Sequence, residues 1–341
     1  MTIPLSILEL APVSATADTA EALRFTTELA RAAEQWGYRR FWVAEHHNMP
    51  AIASSAPAVL LAHLAAATST IRVGSGGVML PNHAPLVVAE QFGTLEALHP
   101  GRIDLGIGRA PGTDQRTALA LRRTVEGLSA EHFPDELADL MAMLSGDPSR
   151  LHSVPQPAEP PQFWLLGSSG YSAQLAGLLG LPFSFAHHFS AVNTEPALRL
   201  YRESFRPSRW LDQPHAMIAV NVICADSDER AEYLAKPGLL SFLRLRSGRP
   251  TALPSPAEAA DYQFTPAEQE FVEQRKTGQA IGSPKTVQRQ LEELVRRTAP
   301  DELMVTNQVY DLTDRLHSYQ LVAELPLSRP GTPITASTGR G

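Results

Sequence analysis

The chain has 341 residues, of which 43% are hydrophobic, so it can bury one large core. Its net charge of −7, without any run of Lys and Arg, argues against a nucleic-acid partner. No apolar stretch approaches the roughly 20 residues of a membrane span, and residues 1–10 lack the features of a secretory signal, so we expect a soluble, cytoplasmic protein with no membrane partner.

Along the chain, short apolar segments typical of strands alternate with segments whose apolar residues recur at helical spacing. The predicted strands cover residues 3–8, 41–44, 71–75, 103–107, 163–166, 183–186, 217–225 and 303–306. The predicted helices cover residues 19–36, 56–68, 85–98, part of 115–144, 171–179, 195–205, a segment that begins after Asp226, and 312–323. Asp226 is predicted to cap its helix, with Glu229 completing a capping box. Cys224, the single cysteine, lies in the seventh strand and is expected to be a buried thiol.

The strand and helix segments form eight units in order, which predicts parallel strands with crossover helices. Their number favours an α/β fold of the (β/α)8 TIM-barrel type over an open sheet. Four prolines in residues 154–161 predict an extended linker before the fifth strand, and residues 246–266 are interpreted as an insertion. Helices are predicted to begin at Thr265, with Glu268 as its capping partner, and at Ser283-Pro284. We therefore expect one domain over residues 1–325, with an insertion around 246–280, and a flexible tail over 326–341.

Three ionisable residues, Glu45, His46 and His47, follow the second predicted strand. The carboxyl ends of barrel strands are where active sites lie, so this cluster is a candidate site. Adjacent residues on a strand point to opposite faces, and no Cys/His cluster accompanies them, so no metal site is predicted. A histidine that faces the barrel mouth can act as a general acid or base near neutral pH. The alternative is a purely structural histidine.

Three further strand ends carry residues suited to a ligand. Gly74-Ser75-Gly76-Gly77 allows a flat ring to approach the backbone, although an ordinary turn is the alternative, and Met79 breaks the dinucleotide-binding fingerprint. Arg109 follows the fourth strand and is either a phosphate partner or a solvated surface arginine. Hydroxyl side chains at a helix N-terminus favour phosphate binding over a simple serine cap, and they belong to Ser168, Ser169 and Ser172.

The ordered combination of these motifs resembles the bacterial luciferase-like flavin-dependent monooxygenases, and in particular their short, single-barrel subgroup. The resembling segments are AEHH at 44–47, VGSGGVMLP at 73–81, PLVVAEQ at 85–91, GRIDLGIGRAPGTD at 101–114, WLLGSSGYSA at 164–173 and IGSPKTV at 281–287. The resemblance implies a (β/α)8 barrel with an insertion region that binds reduced FMN at its C-terminal mouth.

The resemblance also implies a role for each motif. Ser75, Gly76 and Gly77 would pass the flavin ring, with a cis peptide bond between the two glycines. Arg109 would contact the FMN phosphate, and His46 matches the catalytic histidine. The phosphate-binding turn would consist of Ser168, Ser169 and Ser172, although the luciferases carry a glutamate at the position of Ser168. Either Arg122 or Arg123 would supply a further phosphate contact.

The implied activity is a two-component monooxygenase that takes reduced FMN from a separate flavin reductase. Oxygen would form a flavin C4a-hydroperoxide that oxygenates a small organic substrate, and an apolar wall from Trp42, Met79 and Leu80 would exclude water. A homodimer is expected from the same resemblance. Two alternatives remain on the same barrel, namely an F420-dependent oxidoreductase that transfers hydride and a non-catalytic flavin-binding protein.

Overall fold

The computed structural model describes residues 2–122, 131–147, 149 and 151–328, and ten parallel strands form one sheet within them. Branched and aromatic apolar residues dominate these segments, as is usual for strands that are covered on both faces. The strands are β1 (Leu5–Glu9), β2 (Arg40–Val43), β3 (Arg72–Ser75), β4 (Val78–Met79), β5 (Ile103–Gly108), β6 (Gln162–Gly167), β7 (Phe183–Ala186), β8 (Ala216–Cys224), β9 (Gln279–Gly282) and β10 (Glu302–Thr306).

Eight of the strands close into a barrel, in the order β1, β2, β3, β5, β6, β7, β8 and β10. Closure is made by β10, which pairs with β1 on one side and with β8 on the other. The predicted TIM barrel is therefore confirmed. The two remaining strands were not predicted: β4 has only two residues and pairs with β5, and β9 pairs with the last four residues of β8.

Helices surround the barrel, and most of their predicted bounds are confirmed to within one or two residues. They are α1 (Thr19–Gln35), α2 (Pro57–Ala67), α3 (Pro85–Leu98), α4 (Gln115–Arg122), α5 (Phe133–Leu144), α6 (Gly170–Leu179), α7 (Thr194–Ser204), α8 (Asp228–Arg246), α9 (Pro256–Asp261), α10 (Pro266–Lys276), α11 (Pro284–Thr298) and α12 (Leu312–Ala323). No helix in this described part of the chain is long and apolar enough to cross a membrane.

The prediction that Asp226 caps α8 is wrong. Ser227 is the N-cap, and its hydroxyl accepts a hydrogen bond from the Arg230 N–H at 3.2 Å. The Asp226 carboxylate instead contacts His317 at 2.9 Å. A serine three residues before Arg230 has the reach that N-capping requires, whereas Asp226 lies one residue too early.

The segment between β8 and β9 contains nearly all of the predicted insertion and carries α8, α9 and α10. The capping box between Thr265 and Glu268 is present, and α10 begins directly after Thr265. Residues 154–161 form neither helix nor strand before β6, as predicted, and Cys224 is buried. Residues 329–341, most of the predicted tail, lie outside the described part of the chain.

A network of buried charges fills the barrel at the N-terminal ends of its strands. Arg40 is about 1% exposed and donates to Asp104 at 2.8 Å and to Glu302 at 3.0 Å. Asp104 also accepts from the Trp42 indole at 2.9 Å, and Glu302 accepts from the Ser6 hydroxyl. These residues belong to four different strands, so the network ties the barrel together across its interior.

We expect Arg40→Met to lower the free energy of unfolding by about 3–5 kcal/mol, because it leaves the two buried carboxylates without their shared cation. Urea denaturation at neutral pH measures the change. Arg296→Met is the matched control, since the Arg296–Glu293 pair is exposed and its loss should have little effect. Equal stability of the two variants would contradict a structural role for the network.

Candidate functional site

A cavity of about 300 Å³ opens at the C-terminal end of the barrel, opposite the charge network. Its wall is formed by strand ends and the loops that follow them, with α8 and α10 at one side. The structure brings most of the predicted site residues together in this wall: His46, Gly76, Arg109, Ser168, Ser169 and Ser172. Two predicted residues, Ser75 and Gly77, lie outside it.

The glycine segment after β3 approaches other residues very closely. The peptide bond between Gly76 and Gly77 is cis, as the resemblance led us to expect. A Cβ atom at Gly76 would lie 2.5 Å from the Leu8 Cδ1 atom, so a side chain there would displace Leu8. Ser75 is fully buried, and its hydroxyl donates to the Gly106 carbonyl at 2.8 Å. Ser75 therefore supports the strand end, and Gly76 leaves the cavity surface flat.

One end of the cavity combines a guanidinium group with a helix N-terminus. Arg109 follows β5, lies 4.3 Å above the Tyr171 ring, and has no ion pair among the described residues. Ser169 is the N-cap of α6, but its side chain makes no capping hydrogen bond, and Ser168 beside it is exposed. Ser172 is buried in the first turn of the helix. Free hydroxyls, helix N–H groups and an unpaired arginine form a donor set suited to phosphate.

The resemblance implied a further phosphate contact from one of two neighbouring arginines. Arg123 and the side chain of Arg122 lie outside the described part of the chain.

Glu45 is fully buried and binds the loop that follows β4. Its carboxylate contacts His83 Nε2 and His47 Nε2, both at 2.9 Å, and accepts hydrogen bonds from the Met79 N–H at 3.1 Å and the Asn82 amide at 3.2 Å. Burial by itself raises the pKa of this carboxyl, but these contacts outweigh it and lower the pKa below its usual range. Glu45 thus holds the loop in place and does not orient the neighbouring catalytic candidate.

His46 faces the cavity, half-buried, next to that anchor. Its Nδ1 atom is buried and has no hydrogen-bond partner among the described residues. Burial lowers the pKa of His46 to about 4, although Glu45 opposes this shift. The imidazole is therefore neutral at neutral pH, and it can accept a proton from a molecule in the cavity.

The middle of the cavity is apolar. Trp42 and Met79 contribute to its wall, as predicted, together with Leu8, Leu166 and Met304. The prediction for Leu80 is wrong, because its side chain is fully buried in the main core outside the barrel interior. A flat apolar ring with a charged tail fits this division into apolar and polar surfaces.

Several polar residues of the wall were not predicted, among them His188, Asn221 and Arg275. His188 follows β7 as His46 follows β2, so the strand-end rule could have found it. Its Nδ1 donates to the Ala219 carbonyl at 2.9 Å, and burial lowers its pKa to about 4. Asn221 is a lone amide within the apolar strand β8, and its buried Oδ1 has no partner in the described residues. No sequence signal indicated Arg275. The described residues contain no cluster of three potential metal ligands.

A closed parallel barrel with a cavity at the carboxyl ends of its strands defines a (β/α)8-barrel enzyme. A family model described as luciferase-like monooxygenase matches residues 3–302. The chain is 48% identical over 326 residues to a luciferase-like monooxygenase of Escherichia coli (strain K12), with 95% of this chain and 97% of that protein covered. The chain therefore belongs to the luciferase-like monooxygenase family, and it is an oxidoreductase of the monooxygenase class.

Two further relatives are similar over nearly their whole length. N-acetyl-S-alkylcysteine monooxygenase of Bacillus subtilis (strain 168) is 34% identical over 334 residues, with 96% of this chain and 99% of that protein covered. The crystal structure of apo-MsnO8 has a TM-score of 0.89 and 39% identity, with 96% of this chain and 100% of that one covered.

More distant structures share the fold alone. They include the oxygenating constituent of 3,6-diketocamphane monooxygenase from Pseudomonas putida in complex with FMN, at 18% identity and a TM-score of 0.70, covering 97% of this chain and 100% of that one. They also include an F420-dependent tetrahydromethanopterin reductase from Methanopyrus kandleri. It has 14% identity and a TM-score of 0.64, and the match covers 95% of this chain and 98% of that one. The first of these two structures contains FMN, and the second enzyme is named for its dependence on F420.

We expect the free energy of unfolding to fall as the pH decreases from about 6.5 to about 4. The folded-state pKa of His46, His187 and His188 is about 4 in each case, below the ordinary value of 6.5, so the unfolded chain binds more protons in this interval. Each histidine should contribute on the order of 1–2 kcal/mol to the loss between pH 7 and pH 5. Urea denaturation of the wild type and His188→Gln at both pH values measures it. An equal loss in the two proteins would contradict the assignment to His188.

Proposed function

We propose that the protein is an FMN-dependent monooxygenase that receives reduced FMN from a separate flavin reductase and oxygenates a small organic substrate. The observation that carries the proposal is the cavity itself, in which a phosphate-suited end adjoins an apolar surface left flat by Gly76. The reductase partner and a homodimer follow from the family resemblance and belong to the same proposal.

The residues of the wall fit FMN in two parts. Arg109, Ser168, Ser169 and Ser172 would hold the phosphate, whose charge at neutral pH is close to −2. The apolar surface around Gly76, Leu8 and Leu166 would take the ring. The helix N-terminus at α6 adds favourable partial charge for the phosphate without a further side chain.

Reduced FMN, when bound, supplies the activation of oxygen and the transfer of one oxygen atom. The apolar wall contributed by Trp42 and Met79 excludes water, which protects a reactive intermediate from breakdown. His46 is a neutral base whose Nδ1 atom has no competing protein partner, so it can hold a proton that the reacting molecules release.

The alternatives differ in cofactor and in outcome. An F420-dependent oxidoreductase would bind F420 and transfer hydride without consuming oxygen, and an F420-dependent enzyme is among the fold neighbours. A non-catalytic flavin-binding protein would bind FMN but yield no oxygenated product. Titration of the protein with FMN, riboflavin and F420, followed by oxygen uptake with reduced FMN, separates the three functions. Binding of F420 without FMN would overturn the proposal.

Ser169→Asp should weaken FMN binding by about 100-fold or more, because it places a carboxylate against the phosphate at the start of α6. Ser169→Ala is the matched control, and loss of one hydrogen bond should weaken binding by no more than about 10-fold. Fluorescence titration with FMN and with riboflavin measures both effects, and riboflavin affinity should not change. Unchanged FMN affinity in Ser169→Asp would place the phosphate elsewhere.

His46→Ala should lower the yield of oxygenated product by about 100-fold or more while reduced FMN is still oxidised, so that hydrogen peroxide accumulates instead. N-acetyl-S-alkylcysteines, after the relative that is named for them, are the first substrates to screen. Mass spectrometry of the product and a peroxide assay measure the partition. His317→Ala, a change at an exposed histidine of α12, is the control. Full product yield in His46→Ala would remove the catalytic assignment.

A further inference from the structure

A second unpaired guanidinium group lies in the cavity wall, at the side formed by the segment between β8 and β9. Arg275 belongs to α10, and its guanidinium carbon lies 4.0 Å from the centre of the Phe242 ring on α8. Its Nε atom is buried without a hydrogen-bond partner among the described residues. No carboxylate of the described chain lies within 4.0 Å of this guanidinium.

The two fully buried arginines of the described chain are both paired. Arg40 lies between two carboxylates, and the buried Arg315 binds Glu9. Lys276, the residue next to Arg275, lies 2.9 Å from Glu232. Burial of an uncompensated charge is costly, and it lowers the pKa of Arg275 to about 10, which still leaves the group charged at neutral pH. An anion from outside the chain would offset the free-energy cost of burying this charge.

The surroundings of Arg275 differ from those of Arg109, which adjoins the hydroxyl-rich start of α6. Phe242 of α8 lies against Arg275, and two further apolar side chains of the same helix, Leu239 and Leu245, belong to the cavity wall. Gly278 packs α10 against the loop after β7, since a Cβ there would lie 2.8 Å from the Ala191 Cβ atom. The cavity therefore has one cation beside hydroxyl groups and another that lies against the apolar side chains of α8.

We infer that Arg275 binds the carboxylate of an organic acid substrate, with the apolar side chains of α8 covering the substrate's hydrocarbon part. A guanidinium group presents two parallel N–H donors to a carboxylate, and stacking on Phe242 holds its plane in place. That the bound acid is the molecule oxygenated rests on the proposed function. The binding of a carboxylate does not, and it is tested separately.

The test compares octanoate with octanamide, which match in size and differ in charge, by isothermal titration calorimetry of the full chain with and without saturating oxidised FMN. The wild type should bind octanoate at least about 10-fold more tightly, the difference expected for one charged hydrogen-bonded contact. Arg275→Gln should abolish the preference, and Arg275→Lys should retain part of it. Arg109→Gln is the matched control: it should weaken FMN but preserve the octanoate preference.

Three results would overturn the inference: no preference in the wild type, a preserved preference in Arg275→Gln, or an Arg275→Gln variant that loses affinity for FMN and not for riboflavin. The last result would assign Arg275 to the cofactor phosphate. If the wild type shows an Arg275-dependent preference for octanoate but binds no FMN, the carboxylate site stands and the proposed cofactor falls.

Discussion

The ion network around Arg40 is the constraint on which the architecture depends. Two carboxylates from opposite parts of the chain, Asp104 and Glu302, share one guanidinium group inside the barrel. Such a group of charges is tolerated only when every member has a partner, so the strands that carry it must keep their register. The network fills the N-terminal half of the barrel, and Trp42 links it to the cavity by donating to Asp104 while it lines the wall. The cavity is thereby confined to the C-terminal end.

Much of this arrangement could be predicted from local sequence. Alternation of apolar strands and amphipathic helices indicates a parallel barrel, and in a parallel barrel every strand ends on the same side. That topological rule is sufficient to bring His46, Gly76, Arg109 and the Ser168–Ser172 turn near one another, although they lie far apart in the chain. The rule determines neither the direction nor the reach of a side chain. Ser75 therefore donates to the Gly106 carbonyl of the neighbouring strand, and Leu80 packs in the main core, away from the cavity.

What could not be predicted depends on contacts between segments that carry no local pattern. Nothing in the local sequence shows what Glu45 binds, because three of its four contacts come from Met79 at the end of β4 and from Asn82 and His83 of the loop that follows. Arg275 lies on a short helix with no unusual feature in its sequence, and only the way α10 packs beside α8 directs it into the cavity. Side chains supplied by insertions are set by tertiary packing, and substrate recognition is concentrated there.

The electrostatics of the cavity follow from these same contacts. Its two guanidinium groups lack carboxylate partners in the described chain, while the one nearby carboxylate, Glu45, is already occupied by other donors. Burial and neighbouring cations both favour neutral histidines, and Arg275 contributes to the low pKa of His188. An anion bound in the cavity would act in the opposite direction and raise the pKa of the histidines beside it. An anionic ligand close to His46 would therefore make this base a stronger proton acceptor.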